Sequence, residues 1–476
     1  METNARRLRA DLPFRRVAVV LSGGGGLGAY EVGTLRVLER IGLRPSIVLG
    51  VSVGAINALV WVASGFRSES LRSTWDSLKP SSVGIRWYAL GARAAGAFLI
   101  ALALLEAVLT FADVPEVRHL VGLGRSAHVL PSRWSEVAVD TLAWSLVALA
   151  GVLLQLFSGR IEAALAHLTP AADPERLPRR LGAALLVLAI LYPISLLFPF
   201  PWPHRFHLAL VVLCALLWLA GRALGGSESL RRAVMRMLPE TGGRGLWRST
   251  ARRRLIEGLL PADAEQRLFR GATRVILPAC EIASGRMCYF VNAGPDLTSF
   301  AARLYDALDE SFEFRTRGAA VEAALASSAV PLVFEPVRIG GREYMDGGMF
   351  SDQPVHAVLA DGADAVLLVL LSPSRTPPRV SDDPHVVELA ARIPQLVSWR
   401  NLRGELRSLP SGWTHGKPPL RLCLVEPDHA LPGSVLNFNS ATSAELMSRG
   451  ETDAWRALET AGWLEPGHLE TRGALD

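Results

Sequence analysis

The sequence predicts an α/β protein whose central, mostly parallel β-sheet is interrupted by an all-α hydrophobic insertion. Apolar strand patterns at residues 17–21 and 47–49 each lead through a glycine-containing turn into a helical pattern. Strands that alternate with helices in this way are typical of parallel sheets. Four long apolar runs separate this part from later strand patterns. The predicted organisation is one domain in two parts, residues 1–86 and 227–476, with the insertion at residues 87–226.

The most informative motif is Gly50-Val51-Ser52-Val53-Gly54, directly after the second strand pattern. A strand that turns sharply into a helix exposes a serine hydroxyl at the corner, and glycines two positions away on each side prevent a collision across the turn. In a chain with 42 glycines, the same pattern also arises as a simple contact between a helix and a strand. The motif makes Ser52 a candidate nucleophile.

A glycine run at residues 23–28 follows the first strand pattern. Such a loop leaves backbone N–H groups free at a helix N-terminus, where they bind negative charge. A dinucleotide fold would need an acidic residue at the end of the second strand, but that strand ends in Gly50-Val51-Ser52. A phosphate-binding P-loop would need Gly-Lys-Ser/Thr, but Ala29 follows Gly28. The glycine run is therefore better interpreted as an anion hole for acyl transfer than as a nucleotide-binding loop.

A third motif, Tyr344-Met345-Asp346-Gly347-Gly348, lies far downstream. An aspartate before two glycines is a common turn residue. It is also a candidate base that activates Ser52.

Taken in order, these motifs resemble those of the patatin-like phospholipase family. The resemblance spans roughly residues 15–80 and 230–460. Residues 21–30 are similar to the family's oxyanion loop and residues 50–55 to its nucleophile elbow. Residues 324–331 resemble the stretch before the acidic motif, and Asp346-Gly347-Gly348 matches that motif.

The resemblance implies a three-layer α/β/α fold and a catalytic dyad of Ser52 and Asp346 without a histidine. It also implies that the backbone N–H groups of Gly24, Gly25 and Gly26 stabilise the oxyanion. A carboxylate is a stronger base when an apolar site desolvates it. The implied reaction is hydrolysis of a carboxylic ester of a phospholipid or another acyl lipid, with no metal or organic cofactor.

Two residues depart from the family pattern. Many members carry Arg or Lys where this chain has Leu27, and commonly Asn where it has Asp352. An extra carboxylate near Asp346 is expected to raise the pKa of one of the two groups. In an α/β-hydrolase, the alternative fold, a histidine would complete a Ser–Asp–His order; the candidates are His356, His385, His415 and His429.

The apolar runs of the insertion cover residues 94–112, 142–157, 181–198 and 208–220. A membrane-spanning helix needs about 20 mostly apolar residues, so we expect four membrane helices, with buried core helices as the alternative. An even number of crossings keeps both parts of the catalytic domain on one side. Arginines at 160–180 and 231–254 are compatible with that side in the cytoplasm, whereas Arg118, Arg125 and Arg133 in the first outer loop weaken this assignment.

The composition narrows the function further. Lys and Arg number 50 against 45 Asp and Glu, and no basic run is interleaved with aromatic residues as nucleic-acid binding requires. The first 16 residues are polar and contain no signal peptide. We expect a multi-pass protein of a bacterial inner membrane with a cytoplasmic catalytic domain. Two alternatives stay open: a triacylglycerol lipase or thioesterase on the same dyad, and a catalytically silent membrane scaffold or lipid-binding protein.

Overall fold

A computed structural model describes residues 8–9, 12, 14–112, 134–168, 244–292, 300, 304, 309–376, 386–409 and 421–465. Its contacts divide the chain into two compact units. The catalytic unit comprises Met1–Gly84 and Arg244–Asp476, and the second unit is Ile85–Gly243. The first division lies beside the predicted boundary at residue 86, and the second lies later than the predicted boundary at residue 226.

Among the described residues, nine strands form one sheet in the catalytic unit. They are β1 Val17–Leu21, β2 Ile47–Gly50, β3 Arg274–Glu281, β4 Met287–Asn292, β5 Glu310–Phe314, β6 Val337–Ile339, β7 Arg342–Asp346, β8 Ala365–Val369 and β9 Arg421–Val425. The main order is β5-β4-β3-β2-β1-β8-β9, and β7 joins β3 to β6. The five neighbouring strands β3, β2, β1, β8 and β9 are parallel to one another, whereas β4 and β7 run antiparallel to β3.

The register of the sheet brings the three motifs to one edge. Leu21 at the end of β1 pairs with Gly50 at the end of β2, so the glycine run and the serine corner leave the sheet side by side. Leu49 pairs with Ile276 of β3, and Asp346 pairs with Ala279, further along the same strand. Asp346 therefore also lies beyond the carboxyl end of β2. This edge is where α/β proteins with open sheets bind their ligands.

Strands β1, β2 and β8 are buried along their whole length, as expected for a parallel sheet with both faces covered by helices. The helices of the catalytic unit are α1 Ala29–Arg40, α2 Val53–Ala63, α3 Glu69–Ser77, then α6 Thr250–Leu259, α7 Ala264–Arg270, α8 Arg317–Ser327, α9 Val355–Ala360, α10 Val386–Ser408 and α11 Ser440–Thr460. On one face of the sheet, Val20 and Leu49 pack in a core with Val358 of α9 and Leu402 of α10.

The second unit contains two long helices in its described part, α4 Trp87–Ala112 and α5 Trp134–Leu168. They approach closely at Gly96 and Gly151, because a Cβ atom on either would lie 2.6–2.7 Å from the other's carbonyl oxygen. Close approach at small residues is typical of helix pairs in membranes. The Arg93 Nε–H also donates to Ser158 Oγ across the pair, at 2.8 Å.

The predicted apolar runs 94–112 and 142–157 lie in α4 and α5, whereas 181–198 and 208–220 lie outside the described residues. One helical segment in the described part, Trp144–Ile161, is long and apolar enough to cross a membrane. Several of its leucines are exposed, including Leu149, Leu153 and Leu156. A transmembrane role for the insertion stays a prediction.

Candidate active site

Ser52 occupies a strained backbone corner between β2 and α2. Its φ of 55° and ψ of −119° lie outside the regions that L residues favour. A Cβ on Gly50 would lie 2.1 Å from the Gly54 carbonyl oxygen, and one on Gly54 would lie 2.6 Å from the Leu21 carbonyl oxygen. Only glycine fits at either position. Strain of this kind concentrates at functional sites, and here the GxSxG spacing is a sharp corner rather than a chance pattern.

Three consecutive residues at the end of α8 hold the separate parts of the site together. The Ser327 hydroxyl accepts the Ser52 backbone N–H at 3.1 Å. The Ser328 carbonyl and hydroxyl oxygens accept hydrogen bonds from Arg252 of α6. The Asp346 backbone N–H donates to the Ala329 carbonyl at 3.0 Å. This turn therefore fixes the candidate nucleophile and the candidate base relative to each other, although the two residues lie far apart in the sequence.

Asp346 ends β7 and is buried, with 4% of its surface exposed. Its side chain accepts the Gly348 N–H at 2.8 Å. Burial raises the pKa of Asp346 to about 7, hydrogen bonds from the Ser52 hydroxyl and the Gly348 N–H act against this rise, and the Asp352 carboxylate adds to it. Such a carboxyl group can accept a proton near neutral pH, as a general base must.

The glycine run forms a short 3₁₀ helix, Gly25–Gly28, at the end of β1. Gly25 has a φ of 53°, and a Cβ there would lie 2.2 Å from the Val435 carbonyl oxygen. Among the described residues, the N–H groups of Gly24 and Gly25 have no hydrogen-bond acceptor. Gly26 differs from the prediction, because its N–H donates to the Val435 carbonyl at 2.7 Å. In this structure two of the three predicted donors are free for an oxyanion.

A pocket beside Ser52 encloses about 660 Å³ of empty space, part of it open to solvent. The wall is almost entirely apolar, with side chains from α2, α3, α6 and the segment before α11; examples are Ile56, Leu71, Trp75, Leu78, Leu255, Leu259, Phe334 and Phe438. Gly25 and Ser52 lie on the same wall. A hydrocarbon chain attached to a group at Ser52 has an apolar space to occupy.

Arg252 is a residue of the site that the sequence analysis assigned elsewhere. It lies in the run 231–254, whose arginines were predicted to mark the cytoplasmic side of a membrane, but it lines the pocket and is 3% exposed. Its guanidinium lies 3.7 Å above the Phe334 ring. Burial lowers the pKa of Arg252 to about 9, against the charges of Asp346 and Glu335. Its neighbour Arg253 forms an ion pair with Glu322. The motif patterns carried no signal for this role.

Asn57 was also missed. Its side-chain N–H donates to the Gly28 carbonyl at 3.0 Å and to Glu31 at 2.8 Å, and its oxygen accepts from the Trp75 indole at 3.3 Å. Burial raises the pKa of Glu31 well above its usual value, although the Asn57 hydrogen bond opposes this rise. The network ties the end of the glycine run to α2 and to the pocket wall. A single amide in the otherwise apolar α2 is the signal that could have found it.

The histidines do not complete a triad in the described part of the chain. His356 Nε2 lies 2.9 Å from the Tyr289 hydroxyl, and its Nδ1 lies 3.5 Å from Glu405. His429 lines a separate polar surface pocket with Asp453 and Arg456. The other two candidates, His385 and His415, lie outside the described residues.

Together, these features define an α/β protein with a candidate serine nucleophile and a candidate carboxylate base at the carboxyl edge of a parallel sheet. The patatin-like phospholipase family model matches residues 19–359, which is more than half of the chain. The chain belongs to this family. The predicted membership and the predicted fold class are confirmed. Lipid acyl ester hydrolysis is the activity that membership implies.

Individual proteins add little to this assignment. No curated protein matches the chain significantly. Among solved structures, VipD from Legionella pneumophila is similar at 13% sequence identity, over 97% of this chain and 71% of that chain. The TM-score is 0.33, which is too low to support a structural argument.

Proposed function

We propose that the protein is a membrane-associated serine hydrolase that cleaves carboxylic esters of phospholipids or lysophospholipids. The observation that carries the proposal is the buried Asp346 carboxyl group, with a pKa raised to about 7, beside the strained Ser52. The pairing of a hydroxyl with a base that titrates near neutral pH is the requirement for an activated serine.

In the proposed reaction, the Asp346 carboxylate takes the proton of Ser52 Oγ as this oxygen attacks the acyl carbonyl carbon. The tetrahedral intermediate collapses when its C–O bond to the alcohol breaks, and protonated Asp346 returns the proton to the leaving oxygen. This step leaves an acyl group on Ser52. Water then attacks the acyl carbon with Asp346 again as base, which releases the fatty acid and restores the Ser52 hydroxyl.

The developing oxyanion needs hydrogen-bond donors that are already in place. The N–H groups of Gly24 and Gly25 are suited to this role, because no described group accepts them and Gly25 lies on the pocket wall with Ser52. Loss of one oxyanion donor typically costs about 2.7–4 kcal/mol of transition-state stabilisation. The apolar pocket would hold the acyl chain, which favours a long-chain ester over a small polar one.

Attachment to the bilayer is supported by the exposed leucines of α5 and by the close α4–α5 pairing. Only 11% of the residues of Trp144–Ile161 are buried, although this segment is apolar and long enough to cross a membrane. We propose a multi-pass arrangement in a bacterial inner membrane with the catalytic unit in the cytoplasm. In this arrangement the substrate diffuses in the bilayer plane and needs little extraction before it reaches Ser52.

Product analysis with purified full-length protein tests the activity. Phospholipid, lysophospholipid, triacylglycerol and acyl thioester are offered separately in mixed micelles, and released fatty acid is measured by mass spectrometry. Preference for the first two substrates supports the proposal, and preference for triacylglycerol or thioester supports the alternative on the same dyad. No release from any of them, with no labelling by a fluorophosphonate, would leave the silent scaffold as the better account.

Alkaline carbonate extraction of membranes from expressing cells tests the attachment. Integral proteins stay in the pellet, whereas proteins held only by surface charge are released. We expect the chain in the pellet. Release into the soluble fraction would overturn the membrane-spanning part of the proposal and leave the hydrolase part intact.

A further inference from the structure

A second carboxylate, Asp352, lies directly beside the candidate dyad. A Cβ placed on Gly348 would lie 2.3 Å from Oδ1 of Asp352 and 3.1 Å from Oδ1 of Asp346. These two oxygens are therefore separated by no more than the sum of those distances. A Cβ on Gly23 would likewise lie 2.7 Å from Oδ1 of Asp352 and 3.3 Å from the Ser52 Cβ. The two glycines leave the space that the Asp352 carboxylate occupies between the glycine run and the base.

The position of Asp352 is fixed from one further element. The Ser398 hydroxyl of α10 donates a hydrogen bond to Oδ2 of Asp352. Another α10 residue, Glu405, is bound to Ser351 and to the Val355 N–H on either side of Asp352. The other groups that face the pair are the Ser52 hydroxyl at the elbow and the Arg252 guanidinium on α6.

Two carboxyl groups this close in a desolvated site cannot both ionise without mutual repulsion, so their titrations are coupled. Burial raises the pKa of Asp352 to about 6 and that of Asp346 to about 7, and the Asp352 charge contributes to the second rise. The Ser398 hydrogen bond favours the ionised form of Asp352. Asp352 therefore carries charge in the pH range in which Asp346 must gain and lose the Ser52 proton.

We propose that Asp352 is a positioning residue of the dyad: with Asp346 it forms a coupled carboxylate pair that holds one proton in the neutral range and keeps Asp346 a stronger base. The inference rests on the proposed function, since the base has to act on Ser52. It assigns a role to the carboxylate that stands where the family commonly has Asn. As a simple acceptor for Ser398, an asparagine would serve equally well, so the charge is what the role requires.

The test is the pH dependence of fluorophosphonate labelling rates for wild type, Asp352→Asn and Ser398→Ala. Removing the Asp352 charge lowers the pKa of Asp346, so the acid limb of the profile should move down by roughly half a pH unit. The weaker base should lower the plateau about two- to threefold. The two profiles then cross, with the variant faster in acid and slower in base. Ser398→Ala should move the limb the same way by less, because it makes Asp352 easier to protonate.

An unchanged acid limb in both variants, with only the rate reduced, would overturn the inference and leave Asp352 a structural acceptor. Infrared titration of the carboxyl stretch provides a readout that needs no activity. Asp352→Asn should remove one carboxyl group that titrates at unusually high pH in wild type and shift a second one to lower pH, whereas the signal of the buried Glu31 should be the same in both proteins. If wild type is not labelled at all, the proposed function fails, and the infrared titration still decides whether the pair exists.

Discussion

Helix α2 of the catalytic unit and helix α5 of the second unit are both apolar, but they differ in how far their side chains are exposed. Nearly every residue of α2 is buried, and the helix contacts β1, β2 and β3. In α5, Leu142, Leu149, Leu153 and Leu156 are exposed. Contiguous exposed apolar surface marks a contact with another protein or a membrane. Helix α2 is covered within its own unit, whereas α5 leaves apolar side chains exposed.

The proposed function assigns catalysis to the first unit and membrane attachment to the second. Substitutions in each unit should therefore change one of these two properties and leave the other unaffected.

Ser52→Ala should reduce ester hydrolysis at least about a thousandfold, because Ser52 is the residue proposed to form the acyl intermediate. Recovery in the carbonate pellet should stay that of wild type. Ser64→Ala, at the other end of α2, is the matched control and should keep full activity. A Ser52→Ala variant with substantial hydrolysis would remove the nucleophile from the account.

Asp346→Asn should lower the rate about a hundredfold or more, because the base is lost. It should also stabilise the fold at high pH. The folded-state pKa of Asp346 is raised from 3.8 to about 7, so in wild type the unfolding free energy falls as pH rises through that window. Asp346→Asn does not undergo this decrease in unfolding free energy, which is on the order of a few kcal/mol in wild type.

Thermal unfolding at pH 4.5 and pH 8 checks the stability claim. The difference between Asp346→Asn and wild type should be small at the lower pH and larger at the higher pH. Asp428→Asn, an exposed carboxylate paired with Arg456, is the control. An equal difference at both pH values would mean that the Asp346 pKa is not raised in the folded protein.

Leu153→Asp should weaken membrane retention by about 3 kcal/mol, the difference between these residues at the centre of a spanning helix. Leu153 lies near the middle of Trp144–Ile161 and is 43% exposed. Hydrolysis of a water-soluble ester should be unchanged. Leu153→Met keeps the apolar character and should behave as wild type. If Leu153→Asp is retained as well as Leu153→Met, α5 does not contact the bilayer interior.

Ser327→Ala should lose about 1–3 kcal/mol of transition-state stabilisation, because it leaves the buried Ser52 N–H without its acceptor. We expect most of this loss in kcat, with KM little changed, since the bond orients the nucleophile rather than the acyl chain. Ser443→Ala, another buried serine of the same unit, serves as control. Equal loss in both variants would indicate a general effect on stability.

The sequence predicted the serine corner because its determinants are local. The strand, the glycines at 50 and 54 and the following helix all lie within a few residues, and the structure adds the backbone strain at Ser52. The glycine run was predicted for the same reason. Its detail was not, because Gly26 is engaged by Val435, whose contact depends on how the segment before α11 folds back.

The remaining features depend on distant residues, and their sequence patterns are ambiguous. Arg252 belongs to a run of arginines, a pattern typical of an exposed surface, yet the turn after α8 and the Phe334 ring bury it. The sequence predicted Asp352 near Asp346, but not that its carboxylate occupies the space left by Gly23 and Gly348. Asn57 binds three partners that no spacing rule connects. Tertiary packing creates these roles.

The most direct test of the central claim is mass-spectrometric mapping of the fluorophosphonate adduct on the full-length protein. We expect a single modified peptide with the adduct on Ser52, and loss of that adduct in Asp346→Asn near neutral pH. An adduct on another serine, or no adduct under conditions in which a known serine hydrolase is fully modified, would contradict it.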